Sequence, residues 1–307
     1  MPVLLVVSSD KRWSIELMRH MPELEVRIFP DIGDAAAIDY ALVWMPNIGL
    51  LKDLPNLKVI FSIAAGVDHV LRDPDLPKGI PIVRMHDPYQ AAMMSEYAAM
   101  AVLWFHRGMP GNQHAQQLTN WREPPVAYTP DFAIGVLGLG DIGREIAARL
   151  LSFGFQIHGW SRTPRSIDGV SCHHGQDGLS EVLRLSRYVI NVLPSTPATR
   201  GLLDAKHLAM MPRGGFLVNL GRGMHVVDED LLAALDSGQL DGAFLDVFAQ
   251  EPLASGHPYW RHPKVIVTPH MAGELLPRSA AKSVVAGLQR HLAGESLSHV
   301  FDPLRGY

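Results

Sequence analysis

The sequence has little of what marks several specialised classes of protein. It holds one cysteine, Cys172, in 307 residues, so no disulfide can form within the chain, which is usual for proteins of a reducing cytoplasm. Its 27 basic and 31 acidic residues give a net charge of −4, and this balance offers no basic excess to bind nucleic acid or an anionic membrane. No apolar run is long enough for a membrane span, and the one at the start of the chain is too short for a signal peptide. These absences predict a cytoplasmic protein that binds neither nucleic acid nor membranes.

What the chain does contain is an alternation of short apolar runs with helix-like stretches, in two successive series. The apolar runs have the length and composition of buried strands. The predicted strands are Val3–Val7, Val26–Phe29, Tyr40–Trp44, Leu57–Ser62 and Ile80–Arg84, then Phe132–Leu137, Gln156–Trp160, Tyr188–Leu193, Phe216–Leu220, Ala243–Val247 and Val265–Thr268. The clearest predicted helices are Arg12–Arg19, Ala91–His106, Glu229–Asp236 and Arg278–Ala293. This order predicts an α/β fold with parallel sheets, and residues 109–131 are predicted to be an irregular linker or oligomerisation arm.

A glycine-rich loop lies between the first strand and the first helix of the second series. Gly138-Leu139-Gly140-Asp141-Ile142-Gly143 has the G-x-G-x-x-G pattern. In this context the three glycines allow a tight turn, a close approach of the backbone to a pyrophosphate, and close packing of helix on strand. The alternative is an ordinary glycine-rich turn, but the flanking strand and helix favour a dinucleotide site.

The end of the following strand indicates which dinucleotide binds. An NAD site usually carries an acidic residue there, which bonds the ribose hydroxyls. In this chain Ser161, Arg162, Thr163 and Arg165 occupy that region, and the first carboxylate is Asp168. A hydroxyl and two guanidinium groups suit a 2′-phosphate. The sequence therefore predicts NADPH in preference to NADH, unless these arginines are only solvated surface charges.

Three charged side chains follow the last three predicted strands. They are Arg222, Glu251 and His270. Beside a reduced nicotinamide, an arginine can hold the carboxylate of a 2-oxo acid, and a histidine can give the carbonyl oxygen its proton. A carboxylate near the imidazole would favour its protonated form and fix its orientation. Each residue alone could be a surface or turn residue, but together, downstream of a dinucleotide loop, they predict 2-oxo-acid reduction.

A second loop, in the first series of strands, is a candidate site for the substrate carboxylate. Leu57–Ser62 leads into a turn of small residues that includes Ala65, Gly66 and Val67. Such a turn leaves backbone N–H groups free to bind an anion, although a plain turn is an equally good interpretation. Trp44, at the end of another strand, could form a wall of the pocket or fill the core.

Longer motifs around these residues resemble the D-isomer-specific 2-hydroxyacid dehydrogenases, and within them the branch of glyoxylate/hydroxypyruvate reductases. The resemblance runs through the whole chain. The motifs that carry it are Gly138–Gly143, Leu193–Gly201, Asn219–Gly223, Asp246–Leu253 and Thr268–His270.

The resemblance implies two Rossmann-like or flavodoxin-like domains with the active site in the cleft between them. Residues 1–100 and 277–307 would form the substrate domain and residues 101–276 the dinucleotide domain. Arg222 would bind substrate, His270 would be the acid/base and Glu251 its partner. The resemblance also implies NADPH, a homodimer, and substrates such as glyoxylate and hydroxypyruvate. The further positions placed at the cofactor are Leu193, Pro194, Leu220, Asp246 and Met94, and those placed at the substrate are Trp44, Ala65, Gly66 and Val67.

Several alternatives stay open. Met94 could touch the nicotinamide or simply pack in the core. The activity could be reduction of larger 2-oxo acids, such as phenylpyruvate or a branched-chain acid, or the chain could be a dinucleotide-sensing interaction protein. Gly221 and the segment from Met271 to Glu274 depart from the family pattern, so the substrate preference of this chain can differ from that of the family. No metal site is expected, because the adjacent His173 and His174 lack partners at ligand spacing.

Overall fold

The computed structural model describes residues 1–123, 125–303 and 306. Its strands are β1 (Val3–Val7), β2 (Glu25–Ile28), β3 (Tyr40–Val43), β4 (Val59–Ser62), β5 (Ile82–Val83), β6 (Ala133–Leu137), β7 (Gln156–Ser161), β8 (Val170–His174), β9 (Tyr188–Asn191), β10 (Gly215–Asn219), β11 (Leu240–Leu245) and β12 (Val265–Val267). Its α-helices are α1 (Arg12–His20), α2 (Asp68–Leu71), α3 (Pro88–His106), α4 (Met109–Gln117), α5 (Asp141–Leu151), α6 (Gly175–Leu185), α7 (Ala205–Leu208), α8 (Asp228–Asp236) and α9 (Pro277–Leu292). The predicted α/β class with parallel sheets is confirmed.

The first compact unit comprises Met1–Tyr89 and Leu275–Tyr307. Its five strands form a parallel sheet in the order β2-β1-β3-β4-β5. Because successive side chains of a strand point to opposite faces, Leu4 and Val6 belong to one apolar core, and Val3, Leu5 and Val7 belong to another. Both faces of the sheet are therefore buried in apolar cores, and β1 is apolar throughout, as expected for a buried parallel strand.

The second unit spans Gln90–Glu274 and contains a seven-stranded parallel sheet. The strand order is β12-β11-β10-β9-β6-β7-β8. The chain starts at the central β6, builds outward through β7 and β8, and then returns to β9 on the other side. In an open α/β sheet the point where the order reverses, at the carboxyl ends of β6 and β9, is where ligands bind. This topology places the glycine loop after β6 at that point.

The structure differs from the sequence-based expectations in several places, of which three concern whole elements or domain bounds. Strand β8 was not predicted, because Val-Ser-Cys-His-His is not the continuous apolar run that marks a buried strand. It lies at the edge of the sheet and pairs only with β7. Helix α4 lies inside the segment predicted to be irregular. The contacts divide the chain after Tyr89 and after Glu274, because α3 packs its buried face into the second unit, and the domain bounds at residues 100 and 276 stay a prediction.

Helix α3, with 19 residues, is among the longest in the structure. Within the part of the chain that the structure describes, no helix combines the length and apolarity that crossing a bilayer requires.

Candidate active site

The glycine loop has the geometry that its sequence pattern requires. Gly138 has a φ of +106°, a conformation that favours glycine. A Cβ atom at Gly143 would overlap the carbonyl oxygen of Gly138, so the third glycine is needed for close packing of α5 on the loop. A Cβ at Gly140 would meet nothing within 4 Å. The backbone at Gly140 therefore borders open space, where a pyrophosphate could approach it.

The other residues of the loop have different environments. Leu139 is 2% exposed and packs against Gly159 of β7, so only its backbone is available to a ligand. Asp141 and Ile142 form the first turn of α5. Their N–H groups belong to a helix N-terminus, which favours an anion.

The carboxyl end of β7 lies directly beside that of β6. Ser161 is its last residue, and the Ser161 hydroxyl donates a hydrogen bond to the Thr163 carbonyl at 2.7 Å, which shapes the turn. Arg162, Thr163 and Arg165 are exposed on this turn. The basic residues expected to hold a 2′-phosphate thus lie one strand away from the glycine loop.

The charged trio of Arg222, Glu251 and His270 follows strands in the opposite half of the same sheet, where β10, β11 and β12 are neighbours. His270 Nδ1 lies 2.7 Å from Glu251 Oε2. The other carboxylate oxygen, Oε1, accepts a hydrogen bond from the Phe248 N–H at 2.9 Å. Because Nδ1 is bound to the carboxylate, Nε2 is the ring nitrogen available for proton transfer.

A close contact of Gly223 holds Arg222 near His270 and Glu251. Gly223, the residue after Arg222, packs so tightly on the loop after β11 that a Cβ would overlap the Phe248 backbone. The guanidinium also donates a hydrogen bond to the Gly221 carbonyl at 2.8 Å. The three predicted charges therefore lie at one edge of the second unit.

The electrostatics of Glu251 reflect these neighbours. Burial alone would raise the pKa of the Glu251 carboxyl. The hydrogen bonds from His270 and from the Phe248 N–H, together with the charges of His270 and Arg222, outweigh burial and lower that pKa below its ordinary value. Glu251 is therefore a carboxylate at neutral pH, able to stabilise a protonated imidazole.

Asp246, predicted at the cofactor, is found supporting the His270 turn. His270 has a φ of +53°, which is uncommon for a residue other than glycine. Asp246 is 1% exposed. Its carboxylate accepts a hydrogen bond from the Thr268 hydroxyl at 2.6 Å, and it accepts two more from the N–H groups of Met271 and Ala272 at 3.0 and 2.9 Å. These bonds fix the turn, and a contact of Asp246 with the cofactor stays a prediction.

The remaining cofactor candidates are largely buried. Met94 and Leu220 belong to the apolar core of the second unit, where Met94 packs against Gly273. Leu193 is also buried, and Pro194 follows it in the loop after β9. Core packing is thus shown for Met94, and its contact with the nicotinamide stays a prediction.

The substrate candidates of the first unit form a compact feature of their own. The Ser62 hydroxyl lies 3.1 Å from the Ala64 carbonyl oxygen and 2.9 Å from that of Gly66, and it turns both carbonyls inward. The indole of Trp44, 40% exposed, lies against the ring of the buried His69 with centroids 4.7 Å apart. Trp44 is therefore available as a wall of a pocket, and the N–H groups of residues 65–67 stay candidates for binding an anion.

Three buried polar residues beside Arg222 were missed by the sequence-based prediction. They are Asn191, Asn219 and His225, all at most 1% exposed. The signal was present in the sequence, because each asparagine interrupts an apolar run predicted to be a buried strand. A polar residue in such a place needs a buried partner.

Comparison with known proteins connects this geometry to a family. The family model of the D-isomer specific 2-hydroxyacid dehydrogenase NAD-binding domain matches residues 99–272. The chain is 40% identical, over 97% of its length and 96% of the relative's, to glyoxylate/hydroxypyruvate reductase A of Serratia proteamaculans. It is 37% identical to the protein of the same name from Photorhabdus laumondii, with 96% of each chain covered.

Solved structures connect the chain to the same family. A D-isomer specific 2-hydroxyacid dehydrogenase of Xanthobacter autotrophicus, in complex with NADPH and MES, matches with a TM-score of 0.96 and 40% identity, covering 100% of this chain and 99% of the other. An NADPH-dependent glyoxylate/hydroxypyruvate reductase of Sinorhizobium meliloti, in complex with NADP and sulfate, matches with a TM-score of 0.94 and 35% identity over 100% of both chains.

Proposed function

Because the chain belongs to the D-isomer-specific 2-hydroxyacid dehydrogenase family, we propose that it reduces small 2-oxo acids with NADPH. The reactions are glyoxylate to glycolate and hydroxypyruvate to D-glycerate. The observation that carries this proposal is the 2.7 Å pair of His270 and Glu251 beside Arg222, in the sheet that also carries the glycine loop. The single cysteine suits the reducing cytoplasm that we propose as its location.

The structure fits NADPH at two points. The open space at Gly140 and the first turn of α5 would receive the pyrophosphate. Ser161, Arg162, Thr163 and Arg165 would receive the 2′-phosphate, since no carboxylate in this turn repels it. The loop with Leu193 and Pro194 would border the nicotinamide side. The NADPH and NADP bound to the Xanthobacter and Sinorhizobium proteins support this choice of cofactor.

The trio supplies the groups that the reaction needs. NADPH, when bound, supplies a hydride to the carbonyl carbon of the oxo acid. Arg222 binds the substrate carboxylate and polarises the carbonyl group. His270 donates the proton from Nε2 to the carbonyl oxygen, and Glu251 orients the imidazole and stabilises its protonated form. The resulting 2-hydroxy acid has gained one hydride and one proton.

A panel of oxo acids tests the proposal. Loss of NADPH absorbance would be followed with glyoxylate, hydroxypyruvate, phenylpyruvate and a branched-chain 2-oxo acid, and kcat/KM compared. We expect the two small acids to be the best substrates, because the chain is 40% identical to a glyoxylate/hydroxypyruvate reductase A. A higher kcat/KM for the larger acids would replace the substrate assignment, and no turnover of any oxo acid would contradict the proposed activity.

We further propose that the protein is a homodimer. Trp121 and Val126 are 93% and 98% exposed, and Leu118 and Tyr128 nearby are also exposed. Large apolar side chains collected on a surface mark interaction sites. A second copy is the proposed occupant. Light scattering should give twice the chain mass for the wild type and less for Val126→Asp, whereas a monomeric wild type would refute the dimer.

Two glycine substitutions should separate folding from cofactor binding. Gly143→Ala places a Cβ on the Gly138 carbonyl, and we expect it to destabilise the protein by about 1–3 kcal/mol. Gly140→Ala meets no protein atom, so its melting temperature should be unchanged. Its affinity for NADPH should fall roughly 10-fold, about the effect of one lost hydrogen bond of 1.4 kcal/mol. Thermal unfolding and NADPH titration check both variants, and wild-type affinity of Gly140→Ala would refute the proposed position of the pyrophosphate.

Replacing Glu251 by glutamine should weaken catalysis without abolishing it. A neutral amide no longer stabilises the protonated imidazole, and the loss of one charge-assisted hydrogen bond corresponds to a roughly 10-fold lower kcat. Steady-state kinetics at saturating NADPH measure this effect. An unchanged kcat would show that the carboxylate has no role in proton transfer.

The same variant should alter how stability depends on pH. The pKa of Glu251 in the folded protein lies below its ordinary value of 4.5. Its ionisation therefore stabilises the fold above that ordinary value, and the contribution is lost as pH falls through the lowered pKa. The difference in melting temperature between wild type and Glu251→Gln should be small, since both side chains of the pair are more than one-third exposed. The difference should shrink further as the pH falls. A difference that grows in acid would show that ionisation of Glu251 does not stabilise the fold.

A further inference from the structure

We propose that Asn191, Asn219 and His225 form a positioning network. The network fixes the position of the Arg222 backbone and connects it to the loop of Leu193 and Pro194, which is predicted to border the nicotinamide. The inference rests on the proposed function, in which Arg222 binds the oxo acid. The three side chains are 0%, 1% and 0% exposed, respectively. They lie at the carboxyl ends of the neighbouring strands β9 and β10 and in the turn that follows Arg222.

Asn191 is the centre of the network. Its Nδ2 donates one proton to Asn219 Oδ1 at 2.8 Å and the other to His225 Nδ1 at 2.8 Å. Both amide protons are therefore used. Since Nδ1 of His225 accepts a hydrogen bond, the proton of the neutral ring is on Nε2, which donates to the Pro194 carbonyl oxygen at 3.2 Å. The bonding pattern fixes the tautomer of the histidine and the orientation of the asparagine amide.

The network ends on backbone groups of two loops. On the Arg222 side, Asn219 Nδ2 donates to the Arg222 carbonyl oxygen at 3.1 Å, and Asn219 Oδ1 accepts from the Gly221 N–H at 3.3 Å. On the other side, Asn191 Oδ1 accepts from the Leu193 N–H at 3.3 Å. A shift of either loop would strain the shared side chains, so the two loops hold each other in position.

Gly221 is explained by this arrangement. A Cβ at this position would lie 3.1 Å from Asn191 Nδ2 and 3.1 Å from the Leu193 carbonyl oxygen. A side chain here would have tight contacts, and its neighbours would have to shift by a few tenths of an ångström. Gly221 thus lets the Arg222 turn lie directly on the network.

The network pairs four backbone groups of the two loops, which are the N–H groups of Leu193 and Gly221 and the carbonyl oxygens of Pro194 and Arg222. Apolar side chains would leave these groups without those partners. A fully bonded network of this kind specifies one arrangement of the groups that it holds. Here those groups flank the side chain that would bind the substrate, and a misplacement of about 1 Å can cost 10²-fold in rate.

Kinetics of two variants test the network. Asn219→Leu removes the bonds to the Arg222 turn, and we expect the KM for glyoxylate and the inhibition constant of oxalate, a carboxylate probe, to rise roughly 10²-fold. Binding of NADPH should stay close to that of wild type. His225→Asn keeps an acceptor near Asn191 but loses the bond to Pro194, so its KM for NADPH should rise instead.

Val218→Ala is the matched control, since Val218 is fully buried and precedes Asn219 on the same strand. It should lower the melting temperature and leave both KM values unchanged. If Asn219→Leu behaves like Val218→Ala, or if His225→Asn leaves both KM values at wild type, the network is only part of the core and the inference is overturned. Failure of the wild type to reduce any oxo acid would instead overturn the proposed function.

Discussion

Replacing His270 by alanine should lower kcat for glyoxylate reduction by roughly 10²–10⁴-fold, the usual contribution of a general acid. The imidazole is bonded to Glu251 through Nδ1 at 2.7 Å, which leaves Nε2 to deliver the proton. Without the imidazole, the carbonyl oxygen must take its proton from water as the hydride is transferred. The affinity for NADPH should not change, because the proposed pyrophosphate and 2′-phosphate contacts lie at the ends of β6 and β7.

His262→Ala is the matched control for this result. His262 also pairs with a carboxylate, at 3.3 Å from Asp236, and it lies before β12 rather than after it. It should have wild-type kcat. The two variants would be compared by steady-state kinetics and NADPH titration. If His270→Ala kept wild-type kcat, another group would have to donate the proton.

The features that the sequence allowed us to predict are those that follow from local pattern. Buried parallel strands such as β1 and β6 are continuous apolar runs, and their bounds were predicted to within one residue. The glycine pattern of 138–143 depends on sterics within the loop itself, and the structure shows these contacts. The proximity of Arg222, Glu251 and His270 followed from topology, because the strands that precede them are neighbours in one sheet.

The features that could not be predicted depend on contacts between distant segments. The support that the Asp246 carboxylate gives to the turn of residues 270–272 was not predicted, whereas its predicted contact with the cofactor is not tested. Nothing local indicates that an aspartate after an apolar strand will be surrounded by N–H groups from the next strand end. His225 likewise lies in a turn, and its buried bond to Asn191 spans 34 residues.

We propose that the choice of cofactor depends on the turn after β7, and we expect that it can be reversed there. Ser161 ends β7, and its hydroxyl bonds the Thr163 carbonyl at 2.7 Å, while Arg162 is exposed beside it. In Ser161→Asp/Arg162→Ala, a carboxylate replaces the hydroxyl and one guanidinium is removed. The carboxylate would repel a 2′-phosphate but accept hydrogen bonds from the ribose hydroxyls of NADH.

The ratio of kcat/KM for NADPH to that for NADH should therefore fall by roughly 10²–10⁴-fold, since two charge-assisted contacts of about 1.5–3 kcal/mol each are lost. Arg149→Ala removes an arginine from the exposed side of α5, where it pairs with Glu145, and tests whether net charge alone matters. It should leave the ratio unchanged. Because we propose that the trio, and not this turn, takes part in the chemical step, the double variant should remain an active NADH-dependent reductase. An inactive but folded double variant would show that the turn acts on the chemical step, and an unchanged ratio would show that the 2′-phosphate binds elsewhere.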